Sequence, residues 1–264
     1  MIINNKKIQI KRYSSKEMKL ENDYLNSFII NNKVDIIYNN EISIFELLLI
    51  LDYYKSQNAK VSLTLSYLPY QRMDHPNTNN TETIKNVANI FNSLNLDNLF
   101  ICEPHCDLHY FKNAKRVNVI EKIFDKVTNE IDFNKQKDLV IFTDKGSVKK
   151  FSNLSNYYAY WEKTRNTNTG LIESYNLVGN IKPNQKILIV DDIISSGDTI
   201  CEILNLLKNY NNEIYILCAH LEKNKFNKRL IENPQVKKIF ASNSLTKRQN
   251  KKTKLFNIKE IIYG

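Results

Sequence analysis

Lys186-Ile187-Leu188-Ile189-Val190-Asp191-Asp192-Ile193-Ile194-Ser195-Ser196-Gly197-Asp198-Thr199 carries an aliphatic run into two adjacent carboxylates and then a turn of small residues. A short, continuous apolar run is the pattern of a parallel strand covered on both faces, and the spacing from Thr199 to Leu207 is helical. The turn between them therefore belongs beyond the carboxyl end of a strand, where open α/β sheets bind ligands. Backbone N–H groups of such a loop, with a helix N-terminus behind them, attract phosphate. Ser195, Ser196 and Thr199 add hydroxyl donors, and Gly197 allows close approach or positive φ. Asp191 and Asp192 can hold sugar hydroxyls directly or through a divalent cation. As local structure alone, the same residues could simply end a strand and start a helix.

Outward from this stretch the chain alternates strand and helix patterns. Helical spacing marks Ile44-Phe45-Leu47-Leu48-Leu51 and Ile84-Val87-Ile90-Phe91-Leu94, on either side of a strand pattern at 60–68. Further strands are predicted at 138–143, 157–161, 186–191, 213–219 and 237–241, with helices near 121–131, 146–154, 199–209 and 225–233. The fold class is therefore α/β, with two units of similar design and no low-complexity linker between them.

Several motifs together carry a family resemblance. The 186–199 string resembles the ribose-phosphate loop of type I phosphoribosyltransferases and of their relatives, the phosphoribosyl pyrophosphate synthetases. Pro69-Tyr70-Gln71-Arg72-Met73-Asp74-His75, following the strand at 60–68, resembles the ATP-side loop of the synthetases. Arg72 and Asp74 match there, Met73 stands where glutamine is usual, and His75 where a second arginine is usual. Arg72 offers a planar fork to a phosphate and His75 a single hydrogen bond. Arg12-Tyr13-Ser14-Ser15-Lys16-Glu17 resembles the loop that reaches the adenine of ATP held by a neighbouring subunit, with Ser15 replacing the usual acid and Lys16 the usual glycine. Tyr13 can stack on a base and Glu17 can accept from an amino group.

The resemblance extends to Ile101-Cys102-Glu103-Pro104-His105, where His105 takes the place of a magnesium or phosphate ligand and Glu103 matches only by charge. Phe142-Thr143-Asp144-Lys145-Gly146-Ser147 resembles the strand-end acid and loop that cradle sugar and pyrophosphate, with Asp144 also a metal ligand. Trp161-Glu162-Lys163-Thr164-Arg165 resembles the start of a flexible catalytic loop, which implies that Lys163 and Arg165 stabilise the transferred group.

The resemblance implies two phosphoribosyltransferase-like domains: residues 1–118 on the ATP side, with 253–264 returning to them, and 119–252 on the ribose-phosphate side. It implies a magnesium-dependent diphosphokinase that moves the β,γ-diphosphoryl group of ATP to the anomeric hydroxyl of ribose 5-phosphate, and a homo-oligomer, dimer or higher. Three alternatives remain. One is an ordinary phosphoribosyltransferase, which would use the same loop but has no reason to carry the Pro69–His75 loop or a second α/β unit. Another is a catalytically silent subunit, raised by Met73, Ser15 and Lys16. The third is the same chemistry on ADP-ribose, raised by Asp198, whose charge near the loop would disfavour a dianionic terminal phosphate.

Composition is compatible with these expectations without leading to them. The chain has 264 residues, is 42% apolar and carries a net charge of +10. Its lysines are spread through an Asn-, Ile- and Tyr-rich sequence, so no nucleic-acid partner is expected. No apolar run is long enough to span a bilayer, and Met1-Ile2-Ile3-Asn4-Asn5-Lys6-Lys7 does not read as a signal peptide. Four scattered cysteines suit a reducing compartment, so a cytoplasmic protein without membrane partners is expected. Cys102, His105, Cys106 and His109 lie within eight residues, but structural zinc usually takes two ligand pairs separated by a loop, so zinc is disfavoured.

Overall fold

The structure, a computed structural model, describes residues 1–75, 81–165, 172–222, 227–247 and 249–264; side chains of 163–165, 172–175 and 227 also lie outside the description. The chain divides into two units, Met1–Asn118 and Val119–Gly264.

In the first unit, β1 (Ile2–Ile3) and β2 (Lys6–Lys7) form an antiparallel edge. They are followed by α1 (Asn22–Asn26), β3 (Lys33–Tyr38), α2 (Ile44–Ser56), β4 (Lys60–Leu65), α3 (Thr83–Ser93), β5 (Asn98–Cys102) and β6 (Ala114–Val117). The sheet order is β2-β1-β3-β4-β5-β6, with β3 to β6 parallel. Helix α2 begins at a reciprocal cap. Ser43 Oγ accepts from the Glu46 N–H, and Glu46 Oε2 accepts from the Ser43 N–H at 2.8 Å, so two donors that a helix start leaves orphaned are satisfied. Ile84, Ala88 and Phe91 form the buried stripe of α3, at helical spacing.

The second unit runs α4 (Val119–Glu130), β7 (Leu139–Phe142), α5 (Lys145–Phe151), β8 (Tyr158–Arg165), β9 (Ile172–Val178), β10 (Lys186–Ile194), α6 (Asp198–Leu207), β11 (Glu213–Leu221), α7 (Asn227–Glu232), β12 (Val236–Ser242), β13 (Thr253–Phe256) and α8 (Ile258–Tyr263). The sheet order is β13-β12-β11-β10-β7-β8-β9, parallel except for β8 against β9. Ile187, Leu188, Ile189 and Val190 are completely buried between β7 and β11, as an aliphatic run without alternation requires. Ile200, Ile203, Leu204 and Leu207 turn one stripe of α6 inward.

The α/β class and the two mostly parallel sheets are as expected; several details differ. Strand β10 continues to Ile194, so Asp191 and Asp192 lie within the strand, with Asp191 beside Cys218 of β11. The strand expected at 60–68 ends at Leu65, and the helix expected at 146–154 gives way after Phe151 to a 3-10 turn, Ser152–Leu154. Residues 253–264 are counted with the second unit. Thr253–Phe256 extends the second sheet beside β12, and Lys122 of α4 donates to the Ile261 carbonyl at 2.9 Å. With Ile258 and Ile261 buried as well, the C-terminal segment has its strand and helix partners in the second unit.

Candidate active site

The second unit gathers its polar groups where β7 and β10, neighbouring parallel strands, hand over to α5 and α6. Asp144 takes an extended conformation and caps α5, its Oδ1 accepting from the Ser147 N–H at 2.7 Å. Ser147 is buried; its Oγ lies 3.2 Å from Thr143 Oγ1 and donates a long 3.5 Å bond to Asp191 Oδ1. One turn further along α5, Lys150 forms an ion pair with Asp192, which is only 3% exposed. Asp191 also accepts from the Asp192 N–H at 2.9 Å. Burial, then the charges of Asp192 and Asp144, push the Asp191 carboxyl up to about 8. Adjacent acids thus meet different surroundings: Asp192 is paired with a lysine, and Asp191 is raised by burial and by its acidic neighbours.

Beyond β10, Ser195 and Ser196 are half-buried, and Gly197 takes φ +75° as the residue before α6. A Cβ on Gly197 would lie 2.6 Å from Leu230 Cδ1 of α7, so both the backbone and the space require glycine. Thr199 follows in the first turn of α6. Asp198 turns outward: its carboxylate pairs with Arg229 of α7, and a hydrogen bond from Ser196 and then that guanidinium hold it below the usual carboxylate range. Lys163 and Arg165 lie on the backbone of β8 opposite Tyr175 and Ile172; their side chains fall outside the described residues.

In the first unit, Arg72, Asp74 and His75 follow β4. Arg72 and His75 are exposed, Asp74 is half-buried, and His75 Nε2 lies 3.9 Å from Asp74 Oδ2. His105 follows β5, the neighbour of β4, so these residues occupy adjacent strand-end loops. Glu103, 2% exposed and at φ +38°, lies 3.7 Å from Arg116. Tyr13 and Glu17 close a tight turn in which the Tyr13 N–H donates to the Glu17 carbonyl at 3.0 Å. Lys16 adopts φ +69° where the resembled loop has glycine. With Phe45 and Leu49, these two line a groove of about 660 Å³.

Residues 109–243 match the family model described as the phosphoribosyl transferase domain, slightly more than half of the 264 residues. The chain belongs to the phosphoribosyl transferase domain family. Within that family it is similar to proteins named ribose-phosphate pyrophosphokinase. Identity is 28% over 218 residues with that of Sulfurisphaera tokodaii, spanning 79% of this chain and 74% of the relative. It is 25% over 272 residues with that of Staphylococcus epidermidis, spanning 97% and 82%. The solved phosphoribosylpyrophosphate synthetase from Mycobacterium smegmatis shares the fold, with a TM-score of 0.75 at 19% identity over 96% of this chain and 87% of that one.

Family resemblance pointed to Asp144, Asp191 and Asp192 but passed over the groups that orient them. Lys150 was legible in principle, since Ser147 and Lys150 are three apart on one helix and share a face. Nothing local singles out Arg229, which reaches Asp198 only because α7 packs beside α6.

Proposed function

We propose that this phosphoribosyl transferase family member is a diphosphokinase: the anomeric hydroxyl of ribose 5-phosphate attacks the β-phosphorus of ATP, the α–β bridge breaks, and phosphoribosyl pyrophosphate and AMP result. The observation that carries this reading is the β10–α6 junction. Two adjacent carboxylates near the end of β10, Asp192 paired with Lys150 and Asp191 hydrogen-bonded to Ser147, offer acceptors to sugar hydroxyls. The small-residue turn with left-handed Gly197 follows at once, with the N-terminus of the ten-residue α6 behind it to receive the 5-phosphate. The names of the relatives, which extend over both units, support the same reaction.

Magnesium suits the donor set. Among the described residues no three His, Cys, Asp or Glu side chains converge as a preformed cage. That is compatible with an ion that keeps several waters and binds through one or two carboxylates plus substrate phosphates. His105 of the first unit and Asp144 of the second are each proposed as a magnesium ligand within their own unit; when bound, magnesium would offset charge on the diphosphoryl oxygens. Arg72 and His75 take the ATP phosphates, Asp74 serves the same ATP-side loop, Tyr13 and Glu17 take the adenine of a neighbouring subunit's ATP, and Lys163 and Arg165 stabilise the group in transfer. Catalysis then rests on placement and fixed positive charge. A complete site on this reading requires at least a dimer.

Ribose 5-phosphate is preferred over ADP-ribose because the Asp198 charge is already neutralised by Arg229, which removes the repulsion that favoured a phosphodiester. The deciding experiment incubates the full chain with magnesium, ATP and either ribose 5-phosphate or ADP-ribose and measures AMP. Release with ribose 5-phosphate in clear excess is the expected result. Release only with ADP-ribose would reassign the acceptor, and none with either, from folded protein, would make this a silent subunit.

A further inference from the structure

We infer that Gln71 is a positioning residue: it ties the loop bearing Arg72, Asp74 and His75 to the backbone at His105, so that two separate strand-end loops act as one nucleotide-facing surface. The inference rests on the proposed role of those loops. Tyr70 adopts φ +62° and accepts from the Met73 N–H at 2.9 Å, a turn that leaves Tyr70 itself 57% exposed. The next residue goes the opposite way. Gln71 is 0% exposed between an exposed tyrosine and an exposed arginine. Its Oε1 accepts from the His105 N–H at 2.8 Å, across 34 residues of chain. The other end of the loop is anchored separately, by the Ile84 N–H donating to the Met73 carbonyl at 3.2 Å.

Packing does not account for a carboxamide at this place. Gln71 Nε2 is buried with no partner among the described residues, whereas an apolar side chain of equal length would fill the space without leaving a donor unsatisfied. What glutamine supplies and a hydrocarbon lacks is the acceptor for His105. The register of β4 against β5 ends at Leu65 and Ile101, and beyond it the Gln71–His105 bond links the two loops. A ligand that spans both loops requires that spacing before it binds.

The test compares the wild-type full chain with Gln71→Met, which keeps length and loses the acceptor, and Gln71→Glu, which keeps the acceptor. Three quantities are read: hydrogen exchange at the His105 amide, KM for magnesium ATP and for ribose 5-phosphate, and the thermal midpoint. In Gln71→Met, loss of one buried hydrogen bond should speed His105 exchange and raise KM for magnesium ATP by about tenfold, with KM for ribose 5-phosphate unchanged. Gln71→Glu should lie closer to wild type in both. Unchanged exchange at His105, or an equal rise of both KM values, would overturn the inference. Gln71→Asn is too short for the same bond and is read in the same way if Gln71→Met does not fold. Should the wild-type chain bind no magnesium ATP, the nucleotide reading fails by itself, and exchange at His105 still decides whether Gln71 holds that backbone.

Discussion

Lys150 of α5 is paired with Asp192 of β10 at the end of the second sheet proposed to take the sugar, with the acid 4% and the lysine 22% exposed by side chain. This contact gives two adjacent carboxylates different chemistry. Asp192 receives a cation, while Asp191, one residue away, receives only hydrogen bonds and the repulsion of its neighbours.

Removing the lysine should therefore harm the fold as well as the site. Lys150→Met removes the cation paired with a buried carboxylate and should destabilise the second unit by about 2–4 kcal/mol, somewhat below the range for fully buried pairs because the lysine is partly exposed. Urea unfolding measures the loss. Adding Asp192→Asn should restore part of it, and strict additivity of the two changes would show that the pair contributes nothing.

Stability should fall as pH rises through neutrality. The folded Asp191 carboxyl titrates at about 8 against 3.8 for the ordinary group, so between these values the native state binds more protons than the unfolded chain. The unfolding free energy then decreases with pH, at up to about 1.4 kcal/mol per unit from this group. Asp191→Asn should flatten the profile between about pH 5 and 8. A variant with the same slope as wild type would assign the pH dependence to other groups.

Gly197→Ala should cost stability and activity together. The backbone at φ +75° penalises any side chain, and the new methyl meets Leu230 at 2.6 Å. A loss of about 1–3 kcal/mol is expected from backbone and overpacking combined. Pairing the change with Leu230→Ala relieves the contact but not the conformation, so phosphate affinity should stay impaired in the double variant; full recovery would leave packing as the sole constraint.

Asp198→Gly should leave the ratio of activities on ribose 5-phosphate and ADP-ribose within about threefold of wild type, since the carboxylate is outward, 66% exposed, and satisfied by Arg229. A tenfold shift toward ribose 5-phosphate would mean that the charge does act on the pocket.

Lys163→Ala should lower turnover by roughly two orders of magnitude or more with modest change in either KM, because a flexible point charge acts mainly on charge that develops in the transition state. Steady-state kinetics of AMP release reads this directly, and unchanged turnover would remove Lys163 from the mechanism.

Much of the fold was legible because burial on both faces leaves a plain mark. The runs Ile187–Val190 and Leu139–Phe142 admit no polar residue, and α6 repeats its apolar positions at helical spacing. The turn between β10 and α6 was legible for a related reason: small residues between such a strand and helix suit a tight turn, here with Gly197 at positive φ. Strands β1, β2, β3, β6, β9 and β13 were not among those predicted; β9 carries mixed polarity, and β1, β2, β6 and β13 have four residues or fewer.

Residue types, their order and their periodicity are properties of the chain, and from them came the α/β class, the paired acids and the turn that follows them. Which acid is paired with a lysine, where Asp198 points, that Gln71 faces inward and that residues 253–256 join the second sheet were decided only by tertiary structure. Each depends on a partner brought near by packing: Lys150 for Asp192, Arg229 for Asp198, the His105 N–H for Gln71 and β12 for β13. Charge, desolvation and hydrogen bonding act through distances of a few ångströms, and a linear sequence does not contain those distances.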